Sequence, residues 1–288
     1  MKTIAVVGAG VIGLSWARLA RENDWQVVIY DPREDLDEVV SEFANDPQVR
    51  ATGVLADAVA GADLVQENGP ERLEVKRKIF AEILVAADPT AVLATSSSSI
   101  SATSIAAELD DASRVVVGHP FNPPELMPLV EVLPGEQTTQ EATDRAVELY
   151  KELGRVPVVI HKELPGFVAN RLQTALSREA RYLVQQGVVS AAELDTILQN
   201  SLGLRWATIG LFESNVLGGG PGGIRHLFAG VGAETGKIEL GVPSADPDVI
   251  EDMLEHVEST YGTGNEAFER LREKRDQRTR AVLTALSR

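Results

Sequence analysis

The chain has 288 residues, of which 44% are hydrophobic, and its formal net charge is −16 with an isoelectric point near 4.7. This length fits one large or two ordinary domains with a real apolar core. The acidity argues against partners that are polyanions, namely nucleic acids and anionic membrane surfaces. The chain has no long apolar run, no signal-peptide pattern and no cysteine, so we expect a cytoplasmic protein without a membrane span or disulfides.

The first residues predict a strand, a glycine turn and a helix in that order. "TIAVV" (3–7) is a continuous apolar run, typical of a strand buried on both faces, and "GAGVIG" follows it directly. The first glycine permits a tight turn, the second lets a pyrophosphate approach the backbone, and the third lets helix and strand pack closely. The helix then offers free N–H groups and its positive dipole end to phosphates. The predicted cofactor contacts of this motif are Gly8, Gly10, Val11, Ile12 and Gly13.

An acidic residue ends the second predicted strand, "WQVVIYD", and is Asp31, 18 residues after Gly13. A carboxylate in this place accepts hydrogen bonds from ribose hydroxyls and repels a 2′-phosphate. We therefore predict NAD rather than NADP as the cofactor, a preference that the nearby Arg33 softens slightly. A purely structural glycine turn is the alternative interpretation, but the order of strand, turn, helix, strand and acid favours dinucleotide binding.

The alternation of strands and helices continues along the N-terminal half and predicts a parallel, doubly wound sheet of Rossmann type. Ligands of such sheets bind at the carboxyl ends of the strands. We expect an α/β domain over residues 1–163, followed by an all-α domain over residues 164–288. Further strands are predicted at 62–68, 91–99, 114–119, 129–133 and 156–160, and a helix at 72–87.

A histidine and a glutamate stand in unusual places in "GHPFNPPELMPLVEVLPG" (118–135). His119 follows the apolar run "RVVV", so it should lie on the cofactor side of the sheet. Glu131 lies inside the next strand, where a buried carboxylate needs a partner. Paired with Glu131, the imidazole would hold one tautomer and act as a general base. A turn histidine and a solvated carboxylate are the alternative interpretation; no metal site is predicted.

Serines and an asparagine are the next candidates. The run "TSSSSIS" (95–101) follows a predicted strand over the cofactor face, which makes Ser96 a candidate cofactor contact and Ser98 a candidate donor to a substrate oxygen. A flexible loop or a helix cap is the other interpretation of a serine run. Asn170, in "GFVANRL" (166–172), is either an ordinary polar helix residue or a residue that orients the substrate.

The C-terminal part of the sequence has helical patterns at 166–187, 190–201, 248–260 and 265–287. Helical second domains of this kind often pair between subunits, so we expect a homodimer. Between the helices, five glycines within 218–223 predict a loop that is either mobile or closely approached by other backbone. Arg205 and Arg225 match a substrate carboxylate because a guanidinium binds it bidentately, although either arginine could serve as a cap or a surface pair. His226 is interpreted as a packing residue.

The motifs together resemble the 3-hydroxyacyl-CoA dehydrogenase family over nearly the whole chain. The matching stretches are "VVGAGVIG", "QENGPERLEVKRKIF", "SSSSIS", "GHPFNPPELMPLVEV" and "GFVANRL". The resemblance implies that His119 is the base and Glu131 its partner. It also places the catalytic-site serine and asparagine of the family at Ser98 and Asn170, and its cofactor-contacting glutamate and lysine at Glu71 and Lys76.

One departure from the family affects the predicted substrate. Members that act on acyl-CoA carry a long helical insertion after the second strand, and here only about thirty residues separate Asp31 from "ADLVQEN". The chain is more similar to the branch that contains L-gulonate 3-dehydrogenase (lambda-crystallin) and L-carnitine dehydrogenase. This resemblance implies NAD-dependent oxidation of the 3-hydroxyl of a small, free, anionic hydroxy acid, with Arg205 as the carboxylate partner. A short-chain 3-hydroxyacyl-CoA dehydrogenase and a non-catalytic, crystallin-like NAD-binding protein are the alternatives.

Overall fold

The computed structural model of the protein describes residues 1–286. These residues divide into two compact units, Met1–Arg171 and the part of the chain from Leu172 onwards. The first is built around one β-sheet and the second from helices. The domain division predicted at residues 163 and 164 stays a prediction, and the predicted end of the last helix at residue 287 lies outside the described residues.

The first unit contains an eight-stranded sheet with strand order β3-β2-β1-β4-β5-β6-β7-β8, which confirms the predicted Rossmann-type fold class. The central strands are fully buried because helices cover both faces of the sheet. The strands are β1 (Thr3–Val7), β2 (Gln26–Tyr30), β3 (Val49–Thr52), β4 (Leu64–Glu67), β5 (Val92–Thr95), β6 (Val115–Pro120), β7 (Leu129–Pro134) and β8 (Val156–Val159).

The prediction of an all-parallel sheet is wrong for its last two strands. β1 to β6 run parallel, but β7 pairs antiparallel with β6, and β8 pairs parallel with β7. A loop without a crossover helix joins β6 to β7, and such a short connection returns the chain in the opposite direction. The strand predicted at 91–99 ends at Thr95, so the serines lie in a loop, and the edge strand β3 was not predicted.

Helices pack on both faces of the sheet because residues alternate along each strand. Ile4 and Val6 face a core that includes Trp16 of α1 and Tyr150 of α6, whereas neighbouring strand residues face Phe80 of α4. Burial of each large apolar side chain contributes roughly 1.5–3 kcal/mol. The helices of this unit are α1 (Val11–Glu22), α2 (Leu36–Val39), α3 (Leu55–Val59), α4 (Leu73–Ala86), α5 (Ala102–Ala106) and α6 (Gln140–Glu152), with a 3₁₀ turn at Ser41–Phe43.

The remaining chain is helical, as predicted, and the helix that opens at Ser190 has the expected capping box with Glu193. Within residues 1–286, none of the helices combines the length and the apolarity that crossing a membrane requires. The helices are α7 (Ala169–Gln185), α8 (Ala191–Asn200), α9 (Leu202–Thr208), α10 (Leu211–Gly218), α11 (Gly223–Ala229), α12 (Val231–Thr235), α13 (Pro247–Tyr261) and α14 (Gly264–Ala285), with a 3₁₀ turn at Gly220–Gly222.

Of the two kinds of loop predicted from the glycine cluster, the structure has the closely approached one, which forms the turn between α10 and α11. A side chain at Gly219 would place its Cβ 1.8 Å from the Gly223 carbonyl oxygen. Gly220 and Gly223 have φ values of 58° and 61°, in the left-handed region that favours glycine. The glycines therefore allow two helices to meet through a very tight turn.

Candidate active site

The glycine turn after β1 has the geometry that the sequence predicts. Gly8 has φ = 105°, and its N–H donates to the Tyr30 carbonyl oxygen of β2 at 2.7 Å. A Cβ at Gly13 would lie 1.9 Å from the Gly8 carbonyl oxygen, so only glycine lets α1 approach the turn this closely.

The start of α1 is suited to an anionic group. A Cβ at Gly10 would meet nothing within 4 Å, so there is open space beside the backbone here. No side chain caps the helix, and its first turn, which begins at Val11 and Ile12, holds no acidic residue. Free N–H groups and the positive end of the helix dipole therefore face this space, and both favour a pyrophosphate.

Asp31 joins the end of β2 to the glycine turn. Its Oδ2 accepts a hydrogen bond from the Ala9 N–H at 2.8 Å, and its Oδ1 accepts one from the Arg33 N–H at 3.2 Å. The carboxylate keeps lone pairs for ribose hydroxyls. Arg33 pairs with Asp35 at 2.6 Å, which compensates the positive charge next to Asp31. Turn, helix start and acid together fit the adenosine and pyrophosphate parts of NAD.

His119 and Glu131 form a buried pair. They are direct partners in the antiparallel ladder between β6 and β7, and Nδ1 of the imidazole lies 2.8 Å from Oε2 of the carboxylate. Because a carboxylate only accepts hydrogen bonds, Nδ1 carries a proton, and in the neutral imidazole Nε2 is then the nitrogen with the lone pair. Burial raises the pKa of the Glu131 carboxyl, but the hydrogen bond from His119 and two backbone donors bring it below its ordinary value. A charged partner therefore stabilises an imidazolium.

Glu131 also holds the start of α7. Its Oε1 accepts hydrogen bonds from the N–H groups of Val168 and Ala169, each at 3.0 Å. Asn170, the second residue of the helix, is partly exposed directly after this anchored turn. One carboxylate thus fixes both the imidazole and the backbone that carries the predicted substrate-orienting asparagine.

Two aromatic rings, which the sequence analysis did not identify, pack against the imidazole. The ring centres of Phe121 and Phe167 lie 5.4 and 5.5 Å from that of His119. Phe167 is fully buried and has φ = 50°, which is unusual for a bulky residue. The glycine before Phe167 was the available signal, because it marks a turn directly ahead of a buried ring.

Glu71 organises the serine loop. Its Oε1 accepts hydrogen bonds from the hydroxyls of Ser97 and Ser99 and from the N–H groups of Ser98 and Ser99, at 2.6–3.0 Å. Burial raises the pKa of Glu71, but these donors and Lys76 lower it below its ordinary value. The hydroxyl-bearing residue Ser98 is exposed at the tip of this anchored loop.

Lys76 lies inside the protein next to a carboxylate that was not predicted as a site residue. Its Nζ lies 2.8 Å from Oε2 of Glu67, and both side chains are at most 1% exposed. The Thr95 hydroxyl donates to the same carboxylate oxygen at 2.6 Å, and Glu71 lies 3.6 Å from Nζ. The role of Lys76 that this geometry supports is to hold the strand ends and the loop that surround the cofactor site.

Ser96 and Arg205, the two remaining predicted site residues, differ in their surroundings. The Ser96 hydroxyl already takes part in three internal hydrogen bonds, with Trp16, Gln66 and Asn68. Arg205 lies in α9 of the second unit and is exposed. The described residues contain no cluster of three or more side chains able to hold a metal ion.

Two family matches cover most of the chain. Residues 37–164 match the NAD-binding domain of 3-hydroxyacyl-CoA dehydrogenase, and residues 166–270 match its C-terminal domain. The match to the NAD-binding domain agrees with the predicted cofactor, so the protein uses NAD.

Similar proteins extend over the same parts of the chain. A 3-hydroxyacyl-CoA dehydrogenase of Gibberella moniliformis is 42% identical over 77% of this chain and 74% of its own. An L-carnitine dehydrogenase of Burkholderia mallei is 36% identical over 94% of this chain and 91% of its own. The crystal structure of 5-formyl-3-hydroxy-2-methylpyridine 4-carboxylic acid 5-dehydrogenase, an NAD⁺-dependent dismutase, is 28% identical with a TM-score of 0.81 and covers 100% of this chain and 99% of that chain.

The geometry and the comparisons agree on the class of chemistry. A dinucleotide site and a histidine–carboxylate pair lie on one sheet, and relatives that align over most of their length are dehydrogenases. The protein is thus an NAD-dependent oxidoreductase that acts on a hydroxyl group, and it belongs to the 3-hydroxyacyl-CoA dehydrogenase family.

Proposed function

We propose that the protein oxidises the 3-hydroxyl of a small, free, L-gulonate- or carnitine-like hydroxy acid to the 3-keto acid. The observation that supports this chemistry best is the buried pair of His119 and Glu131, 2.8 Å apart at the carboxyl end of β6. A base held in one tautomer by an ionised partner is what removal of a hydroxyl proton requires.

Each of the predicted site residues would have a separate role in this reaction. NAD, when bound, supplies the acceptor for the hydride that leaves the substrate carbon. Nε2 of His119 takes the hydroxyl proton, and Glu131 stabilises the imidazolium that results. Ser98 and Asn170 hold the substrate oxygen, and Arg205 pairs with the substrate carboxylate. Asp31 selects NAD over NADP through the ribose.

The length of the segment after β2 supports a small acid over a CoA ester. Between Asp31 and β4 the chain forms only α2 with four residues, a 3₁₀ turn, β3 and α3 with five residues. No long helical insertion is available there to clasp coenzyme A. Similarity to an L-carnitine dehydrogenase over almost the full length also supports a free acid.

A second candidate is a short-chain 3-hydroxyacyl-CoA dehydrogenase. It is favoured by the 42% identity with a protein of that name. A non-catalytic NAD-binding role is the third, and the intact and fully paired His119 and Glu131 speak against it.

A substrate panel with and without His119 tests the proposal. Gulonate, carnitine, 3-hydroxybutyrate and its CoA ester are each offered with NAD and with NADP, and the formation of NADH or NADPH is measured. We expect turnover of a free acid with NAD, and a loss of about 10²- to 10⁴-fold in kcat for His119→Ala with unchanged NADH binding. The matched control is His161→Ala, which removes an exposed histidine. A faster reaction with the CoA ester selects the second candidate, and no reaction with any of the four compounds selects the third.

We also propose that the protein is a homodimer, paired through its helical C-terminal domain. Among the described residues of the second unit, only Ala191 and Ala267 are buried apolar residues, each 8% exposed, whereas Leu172, Phe212 and Phe228 are at least 60% exposed. Large exposed apolar side chains are a feature of surfaces that pair with another protein. Sedimentation equilibrium should give twice the 31.0 kDa chain mass, and a monomer at micromolar concentration would contradict the proposal. A cytoplasmic location stays a prediction.

A further inference from the structure

Two polar side chains lie in the core of the first unit, away from the proton-transferring pair. Gln66 of β4 and Tyr150 of α6 are both 0% exposed, although they are 84 residues apart. Burial of such groups is costly unless each finds a hydrogen-bond partner. Their partners connect them to the edge of the sheet where the active-site residues lie.

The hydrogen bonds of Gln66 can be assigned to individual atoms. Its Nε2 lies 3.1 Å from the Gly118 carbonyl oxygen, which can only accept, so the amide nitrogen must face this group. Its Oε1 then faces the Tyr150 hydroxyl, which donates at 2.7 Å. Burial raises the pKa of Tyr150, so the phenol keeps its proton and remains a donor. The tyrosine therefore fixes the orientation of the amide.

Gln66 takes the place of a missing strand partner beside His119. The ladder between β5 and β6 ends at the pair Thr95–Val117. The Arg114 carbonyl oxygen accepts a hydrogen bond from β5. Because carbonyl groups an even number of residues apart along a strand point to the same side, the Gly118 carbonyl also points to the side of β5. At Gly118, however, β5 has already ended. The Gln66 amide therefore satisfies the carbonyl of the peptide that joins Gly118 to His119.

Gly118 provides the space for this arrangement. A Cβ at this position would lie 1.8 Å from the Tyr150 hydroxyl oxygen and 2.7 Å from the adjacent ring carbon. The tyrosine ring lies directly against the strand, so a side chain at Gly118 would displace the hydroxyl from Gln66. Steric contact with Tyr150 thus explains why a glycine precedes the histidine in "GHPFNPP".

The same amide also reaches the cofactor side of the sheet. Nε2 of Gln66 donates to the Ser96 hydroxyl at 2.8 Å, and this hydroxyl donates to Oδ1 of Asn68 at 2.7 Å. Nε1 of Trp16 is a second donor to Ser96, at 3.1 Å. Asn68 returns a hydrogen bond to the backbone carbonyl of Gln66 at 2.7 Å. Both acceptor positions and the proton of the Ser96 hydroxyl are therefore used within this network.

We propose that Gln66, oriented by Tyr150, is a positioning residue that holds the main chain at His119 and the Ser96–Asn68 edge in the geometry needed for proton transfer. The expected effect of this network on turnover rests on the function proposed above. Its expected effect on the geometry of the pair of His119 and Glu131 is independent of that function. Loss of the network lets the Gly118–His119 peptide move, and a misplacement of about 1 Å can cost about 10²-fold in rate.

Isosteric variants test the proposal. Tyr150→Phe removes one hydroxyl and keeps the ring, and Gln66→Met removes the amide at similar volume. The control is Thr143→Val, which deletes another buried hydroxyl of α6, one that donates to the Thr139 carbonyl oxygen of its own helix turn. We expect kcat to fall about tenfold in Tyr150→Phe and further in Gln66→Met, and to stay within about twofold in Thr143→Val. Melting temperature is measured for all three, so that kcat is compared at known stability.

A second readout needs no substrate. The chain has four histidines, so the proton on Nδ1 of His119, which bonds to Glu131, can be followed by NMR after ¹⁵N-histidine labelling and assigned with His119→Ala. We expect its resonance to move in Tyr150→Phe and in Gln66→Met but not in Thr143→Val. An unmoved resonance, or kcat in both variants within twofold of the control, would overturn the proposal. If the wild-type protein oxidises no substrate, the proposed function fails and the NMR result alone decides; if Gln66→Met does not fold, Tyr150→Phe decides.

Discussion

Glu131→Gln is the substitution with the most specific expected effect. The carboxylate of Glu131 accepts three hydrogen bonds, from Nδ1 of His119 at 2.8 Å and from the Val168 and Ala169 N–H groups at 3.0 Å. In the glutamine variant one oxygen can keep the backbone bonds, and the amide nitrogen then faces the imidazole. Because this nitrogen donates, Nδ1 must accept, and the ring proton moves to Nε2.

The wrong tautomer removes the base. Nε2 would carry a proton instead of a lone pair, and the imidazolium would lose its ionised partner. A change of carboxylate to amide beside a catalytic histidine in a protease triad costs about 10⁴-fold in kcat. We therefore expect a loss of about 10²- to 10⁴-fold here, equivalent to roughly 3–5 kcal/mol of barrier. Loss of the charge-assisted bond should also lower the free energy of unfolding by about 1.5–3 kcal/mol.

The assay compares kcat, the KM for substrate and the affinity for NADH in the wild type and in the variant. The loss should appear in kcat, while NADH affinity stays within about threefold, because Glu131 lies outside the dinucleotide turn. Glu163→Gln is the matched control, since that carboxylate accepts a hydrogen bond from the Thr103 N–H and has no imidazole partner among the hydrogen bonds of the described residues. If Glu131→Gln turned over at the wild-type rate, the assignment of the base would be refuted.

The pH dependence of stability gives an independent check on the same residue. The pKa of Glu131 in the folded protein lies below its ordinary value of 4.5. A lowered native pKa means that the ionised carboxylate adds stability above the unfolded-state pKa, and that this stability is lost as pH falls through the native value. The difference in urea midpoint between wild type and Glu131→Gln should therefore be largest near neutral pH and shrink below about pH 4.5. A constant difference would show that the carboxylate is not stabilised by its partners.

Two further predictions concern the ion pair and the glycine turn. Lys76→Met leaves Glu67 buried without its cation and should cost about 3–5 kcal/mol in chemical denaturation, with partial recovery in Lys76→Met/Glu67→Gln; wild-type stability of the single variant would contradict this. Gly13→Ala places a methyl group 1.9 Å from a backbone oxygen, so it should lower both melting temperature and NADH affinity, whereas Gly10→Ala meets no protein atom and should weaken only NADH binding in a fluorescence titration. Equal behaviour of the two alanine variants would remove the steric explanation.

Local features of the sequence were sufficient to predict the dinucleotide site. The turn needs a glycine where φ is positive and another where a Cβ would meet the backbone 1.9 Å away, and both requirements concern residues within one strand–turn–helix segment. Apolar runs of strand length predicted seven of the eight strands, and the edge strand Val49–Thr52 was missed because it is only partly buried. The direction of β7 was predicted wrongly, since an apolar run carries no information about which way its strand runs.

The sequence by itself determined the cofactor class, the fold and the candidate base, because these depend on glycine sterics, on short apolar periods and on a histidine at a strand end. The pairing of His119 with Glu131 was also predicted, but only the tertiary structure decided the partners of the other buried polar groups. The antiparallel return of β7 places Glu131 opposite His119, and the packing of α6 on the sheet brings Tyr150 to Gln66 across 84 positions of sequence. A polar residue in an apolar strand looks the same in the sequence whether it faces water or a partner, since the partner is chosen by long-range packing.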